Sequence, residues 1–160
     1  MSDWIAWLPL MAGLVVLQAS GEEAVFRGYL VQQIARRTHS RVVLILLTSG
    51  LFGFLHIDPS FDEPQALAFM LLTFGFGAIA CLLVIRTGSL SAAIGFHIAA
   101  NWAALLVVGT ELPGRGVTSL WAFDGSAISP LMLADGVALL ATWIWLQSPL
   151  SPLLPAPAQT

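Results

Sequence analysis

The sequence predicts an all-α integral membrane protein, a polytopic bundle of about five transmembrane helices with a polar site inside the membrane. Three observations lead there. Of 160 residues, 58% are hydrophobic and only 9% charged, against about 25% charged in an ordinary soluble domain. The apolar residues gather into runs near the ~20 residues that a membrane helix requires. The ionisable residues fall either in the short connections or at a few places inside the runs, where they are costly and usually functional. All six basic residues are Arg and the formal net charge is −3, so no nucleic-acid partner is expected. The length suits one domain, over 1–147, followed by a Pro-rich tail over 148–160 that reads as disordered.

The first helix runs from about Trp4 to Ile34, interrupted at Gly21-Glu22-Glu23. Its start resembles a signal peptide but lacks the positive n-region, since Asp3 is the only charge before the apolar run; it reads as a retained helix. The second runs from about Val42 to His56 and is short enough to be tilted or to stop inside the protein. The third spans about Gln65 to Ile85, the fourth Leu90 to Val108 and the fifth Pro130 to Leu146. Arg36, Arg37 and Arg41 lie between the first two helices and Arg86 after the third, while Asp58, Asp62 and Glu63 lie between the second and third. The positive-inside rule puts the two basic connections in the cytoplasm and the N-terminus, the acidic loop and the Gly-rich 109–129 connection outside. Trp4, Trp7, Trp143 and Trp145 suit interfacial belts. The Arg-only, Ala- and Leu-rich composition points to a bacterial source, hence to the inner (plasma) membrane.

Glu22, Glu23 and Arg27 stand on the first helix, His56 ends the second, His97 and Asn101 stand on the fourth, and Asp135 on the fifth. At ~1.5 Å of rise per residue, Glu22 lies roughly 21 Å above the basic edge, His56 and Asn101 roughly 22 Å and His97 roughly 16 Å. Three helices thus carry polar groups to one level in the outer half of the membrane, which predicts a shared site. Glu23 and Arg27 are i,i+4 neighbours and can pair. Glu22 lies ~100° further round the helix, so Glu23 with Arg27 reads as architectural and Glu22 as facing the site. Phe52 falls on the packing face of the second helix, four residues before His56. His39 reads as solvated surface, Asp135 as a helix-end or interfacial acid and Cys81 as a packed small residue; Gly75, Gly77, Gly88 and Gly95 read as turns or close helix contacts.

These residues carry a resemblance. Glu22-Glu23-Ala-Val-Phe-Arg27 resembles the EExxxR motif of the CPBP family, which holds the type II CAAX prenyl endopeptidases and bacterial Abi proteins. Phe52-Gly-Phe-Leu-His56 resembles its FxxxH motif and His97-Ile-Ala-Ala-Asn101 its HxxxN motif. All three occur in order on separate apolar helices, over about residues 20–102. The resemblance implies a glutamate-dependent intramembrane protease acting on a membrane-associated protein or peptide. Glu22 would activate water with His56 assisting, His97 and Asn101 would stabilise the oxyanion or hold the site, and Glu23 and Arg27 would support it.

Three alternatives stay open. Relatives have been described as metalloproteases, and Glu22, His56 and His97 are of the types that could hold a catalytic zinc, although no HExxH motif is present. A non-catalytic immunity or scaffold protein would keep the cluster for assembly. An ion pathway would require polar residues toward both faces, and Val42 to Leu47 and Leu90 to Ile94 are nearly all apolar.

Overall fold

A computed structural model describes residues 2–111, 121–124 and 130–153 of the chain. Helix α1 (Ser2–Glu23) continues without a break into a π-helical turn (Ala24–Leu30) and the short α2 (Val31–Ala35). The interruption expected at Gly21-Glu22-Glu23 is therefore a change of winding, not a break. It has a consequence for the buried face, which is Val15, Ala19, Glu23, Arg27 and Val31, each four residues from the last. In an α-helix a four-residue step drifts ~40°; the looser i→i+5 winding from residue 24 keeps Glu23, Arg27 and Val31 pointing into the bundle.

Helix α3 (Arg41–Leu55) starts at Ser40, whose hydroxyl accepts from the Val43 N–H, and ends at His56. It packs most extensively on α4 (Glu63–Thr87), the central helix, whose residues Phe76 to Cys81 are all buried. The acidic loop builds the start of α4: Asp62 and Gln65 form a capping box, with Pro64 in the first turn. Gly88 ends α4 in the left-handed conformation at φ 66°. Ser89 then caps α5 (Leu90–Asn101), which passes into a second π-helical stretch (Trp102–Val107). Helix α6 (Pro130–Gln147) leans on α4.

Four of these segments, Trp4–Ala35, Glu63–Thr87, Leu90–Val107 and Pro130–Gln147, are long and apolar enough to cross a membrane, and Arg41–Leu55 is the shorter apolar helix that the sequence predicts. The protein is a polytopic helical membrane bundle. One addition concerns the 109–129 connection. Val108–Glu111 and Trp121–Asp124, rich in β-branched and aromatic residues, pair as two parallel strands with Val108 opposite Trp121; residues 112–120 and 125–129 lie outside the described residues. Of the expected tail, 148–153 are described and 154–160 lie outside. Ser151 is buried, and Leu153 packs on the cluster of Ile79, Leu83 and Leu146.

The tryptophans divide. Trp7 is exposed, whereas the indoles of Trp4 and Trp102 donate to the carbonyls of Leu106 and Ala12 and pin α1 to the end of α5. Between α4 and α6 runs a wholly apolar crevice of about 360 Å³, lined by Leu71, Leu72, Phe74, Leu139 and Trp143 among others.

Candidate active site

The centre of the site is a buried ion pair. Arg27 Nη1 donates to Glu23 Oε1 at 2.9 Å, and neither side chain is accessible. The i,i+4 spacing makes the pair local; the rest of its support comes from other helices. Arg27 Nη2 donates to the Gly77 carbonyl on α4 at 3.2 Å. The guanidinium lies 4.5 Å from the centre of the Phe52 ring on α3, an arrangement favourable for a desolvated cation. A Cβ at Gly77 would meet Arg27 Nη2 at 3.1 Å and the Ser49 Cα at 3.2 Å, so this glycine is what lets α3 and α4 close around the arginine.

His97 on α5 is fixed by the same carboxylate: its Nδ1 lies 2.7 Å from Glu23 Oε1 and therefore donates to it. The ring is almost fully buried and packs edge-on against Phe76, with centroids 4.8 Å apart. His56 is held in a parallel way. Its Nδ1 donates to the Phe52 carbonyl at 2.7 Å, one turn earlier on α3, and its ring rests on Phe52 with centroids 4.2 Å apart. Both histidines are thus oriented through Nδ1, and both turn Nε2 toward Glu22. Glu22 Oε2 lies 3.9 Å from His56 Nε2 and 3.8 Å from His97 Nε2. These separations are beyond direct hydrogen bonding. The Glu22 side chain is 28% accessible, while its Oε2 is buried and has no hydrogen-bond partner among the described residues.

The structure therefore brings Glu22, Glu23, Arg27, His56 and His97 into one cluster drawn from three spans. Asn101 joins at one remove: its Nδ2 donates at 2.9 Å to Oε1 of Gln18, and the Gln18 Nε2 donates to Glu22 Oε1. Gln18 was not among the residues singled out by sequence, although its position four before Glu22 on an apolar helix is a signal that could have found it. The Gly77 carbonyl was equally invisible. Glu23 Oε2, Arg27 Nε and Ser49 Oγ are also buried without a hydrogen-bond partner among the described residues.

Other expected residues fall outside the cluster. Asp135 is exposed in the second turn of α6 and His39 is exposed in the connection before α3. Cys81 is buried in an apolar cluster with Val31 and Leu44. Gly77 makes a close helix contact and Gly88 a turn; a Cβ at Gly75 would come no nearer than 3.9 Å to Leu139, and one at Gly95 would meet nothing within 4 Å.

Among the described residues no group of three His, Cys, Asp or Glu is gathered to hold a metal ion. Tetrahedral zinc ligands at ~2.0–2.2 Å stand roughly 3.3–3.6 Å from one another. Glu22 Oε2 stands slightly wider than this from the two Nε2 atoms, at 3.9 Å from His56 and 3.8 Å from His97.

The fold and this cluster define a class: a helical membrane protein with a glutamate facing two oriented histidines inside the bundle. Residues 4–103 match the family model for the type II CAAX prenyl endopeptidase Rce1-like proteins. The chain belongs to this Rce1-like family, in agreement with the resemblance carried by its three motifs. It is also 40% identical over 90 residues to the uncharacterized protein YyaK of Bacillus subtilis (strain 168), an alignment covering 55% of this chain and 29% of that protein. The chain thus spans under a third of the length of that curated relative. No solved structure matches it.

Proposed function

We propose that this protein is an intramembrane endopeptidase that hydrolyses a peptide bond of a membrane-associated protein or peptide through water activated by Glu22 and His56. The observation that carries the reading is the unpartnered Glu22 Oε2 facing the Nε2 atoms of His56 and His97 at 3.9 and 3.8 Å. A water bridging groups at such distances can donate one proton to the Glu22 carboxylate and the other to the His56 Nε2 lone pair. Glu22 takes a proton as the water oxygen bonds to the scissile carbonyl carbon. The C–N bond then breaks, and the proton passes to the leaving amine. His97, held by Glu23, presents Nε2 to the same point, where its protonated form donates to the oxyanion. Arg27 holds the Glu23 carboxylate in place.

The family name supports a lipid-anchored substrate, so the first substrate to try is a fluorogenic peptide carrying a prenylated cysteine followed by three residues. With the purified protein in lipid vesicles, wild type cleaves the peptide and Glu22→Gln loses about 10²–10⁴-fold in rate. Full cleavage by Glu22→Ala or His56→Ala would end the mechanism. A wild-type protein that cleaves no member of a panel of such peptides, with or without the prenyl group, would favour an immunity or scaffold role. Elemental analysis of active protein separates this water mechanism from a zinc-dependent one: stoichiometric zinc overturns it.

We further propose a bacterial inner-membrane location with the N-terminus outside, from the exposed Arg36, Arg37 and Arg41 at one end of the bundle. Because Cys81 is the only cysteine and is buried, introduced thiols report topology cleanly. In intact cells Ser2→Cys reacts with an impermeant maleimide and Ser40→Cys does not; the opposite labelling inverts the topology.

A further inference from the structure

We propose that Gln18 is the positioning residue of Glu22, and that Asn101 in turn orients Gln18. The inference rests on the proteolytic reading of Glu22. Gln18 stands one helical turn before Glu22, on the same face of α1. An ionised carboxylate only accepts hydrogen bonds, so the part of Gln18 that faces Glu22 Oε1 must be its NH₂ group. The Gln18 oxygen then points away from Glu22 and requires a donor. Asn101 Nδ2 supplies it at 2.9 Å, from the far end of α5. The three side chains form one polarised chain, from the Asn101 NH₂ through the Gln18 amide to the Glu22 carboxylate, and each link dictates the orientation of the next.

The chain matters because the terminal torsion of a glutamate is soft. Nothing within Glu22 itself selects which oxygen faces the histidines. Gln18 engages Oε1, and Oε2 is thereby left turned toward His56 and His97. Gln18 does so without adding a charge to a site that already contains two carboxylates and an arginine. Asn101 is four residues, one turn, beyond His97, so α5 supports the site twice: directly with the imidazole and indirectly with the amide.

The test is a double-mutant cycle with the peptide-cleaving protein in vesicles. Gln18→Met, of similar length and without hydrogen bonds, lowers kcat by about 10²-fold and leaves KM and the melting temperature unchanged. Asn101→Ala alone lowers kcat, and in the Gln18→Met background it costs measurably less. Asn101→Asp, which offers Gln18 only acceptors and turns its oxygen toward Glu22, is worse than Asn101→Ala, and Gln18→Met abolishes that difference. Equal loss from Asn101→Ala in both backgrounds overturns the inference, because Asn101 and Gln18 would then not be coupled. So does wild-type kcat for Gln18→Met when Glu22→Gln is inactive. If Glu22→Gln itself cleaves normally, the proteolytic reading has failed instead. A readout without turnover covers that case and a misfolded Gln18→Met. In ¹⁵N-labelled protein, the Gln18 side-chain amide resonances shift in both Glu22→Gln and Asn101→Ala. Resonances unmoved by Asn101→Ala overturn the chain of bonds whatever the activity.

Discussion

The two sides of α4 are packed by different physics. Toward α1, α3 and α5, the helix closes around Arg27, Glu23 and His97, and contact depends on hydrogen bonds, a ring face under a guanidinium and a glycine that permits close approach. Toward α6, the contact is Leu72, Gly75 and Ile79 of α4 against Leu139 and Trp143, around a crevice lined by apolar residues. In a lipid environment the second kind of seam has little hydrophobic drive, since acyl chains are as apolar as leucine, and it relies on van der Waals contact. The first kind cannot be exchanged for lipid at all, because each of its charges would be left unpaired. The side that carries the polar cluster is thus also the side that specifies the bundle, and α6 is the part most tolerant of change.

This contrast predicts an order of effects, each measurable by thermal or SDS unfolding of the purified protein alongside peptide cleavage. Arg27→Met leaves Glu23 buried without its cation and costs about 3–5 kcal/mol, the range for removing one partner of a buried pair, together with all activity. A melting temperature near wild type would show that the polar seam does not specify the bundle. Gly77→Ala comes next, at about 1–3 kcal/mol, because the new methyl must displace Arg27 Nη2 or the Ser49 backbone from 3.1 and 3.2 Å; cleavage falls with it. Gly95→Ala, which meets nothing within 4 Å, is the control and is neutral or stabilising by up to about 1 kcal/mol. Smallest of the destabilising changes is Leu139→Ala on the apolar seam, at about 1 kcal/mol, below the 2–5 kcal/mol of a tightly packed core because lipid can fill the space. It leaves kcat unchanged. A loss of kcat there equal to that of Gly77→Ala would erase the distinction between the two sides.

Much of the cluster was legible beforehand because its parts repeat at helical spacing. Glu23 and Arg27 pair as i,i+4 neighbours, and counting residues from the basic edges placed Glu22, His56 and His97 at comparable depth. Phe52 was read only as a packing residue, yet its carbonyl orients His56 and its ring carries Arg27. Glu23 was read as the partner of Arg27 alone and proves to hold His97 as well. In both cases a single chain position serves two helices, which no spacing within one helix can reveal. The π-helical turns after Glu23 and Asn101 had no signal we can identify in their residue types.

By itself the sequence determined the medium, the approximate limits of the helices, and which residues are costly to bury in a membrane, because these follow from apolar run length, charge placement and rise per residue. Only the tertiary structure decided which nitrogen faces which oxygen. Residue counting locates a side chain along a helix to within a turn but leaves the rotation of each helix about its axis open. A hydrogen bond requires agreement to a few tenths of an ångström among helices whose rotations are set jointly by packing.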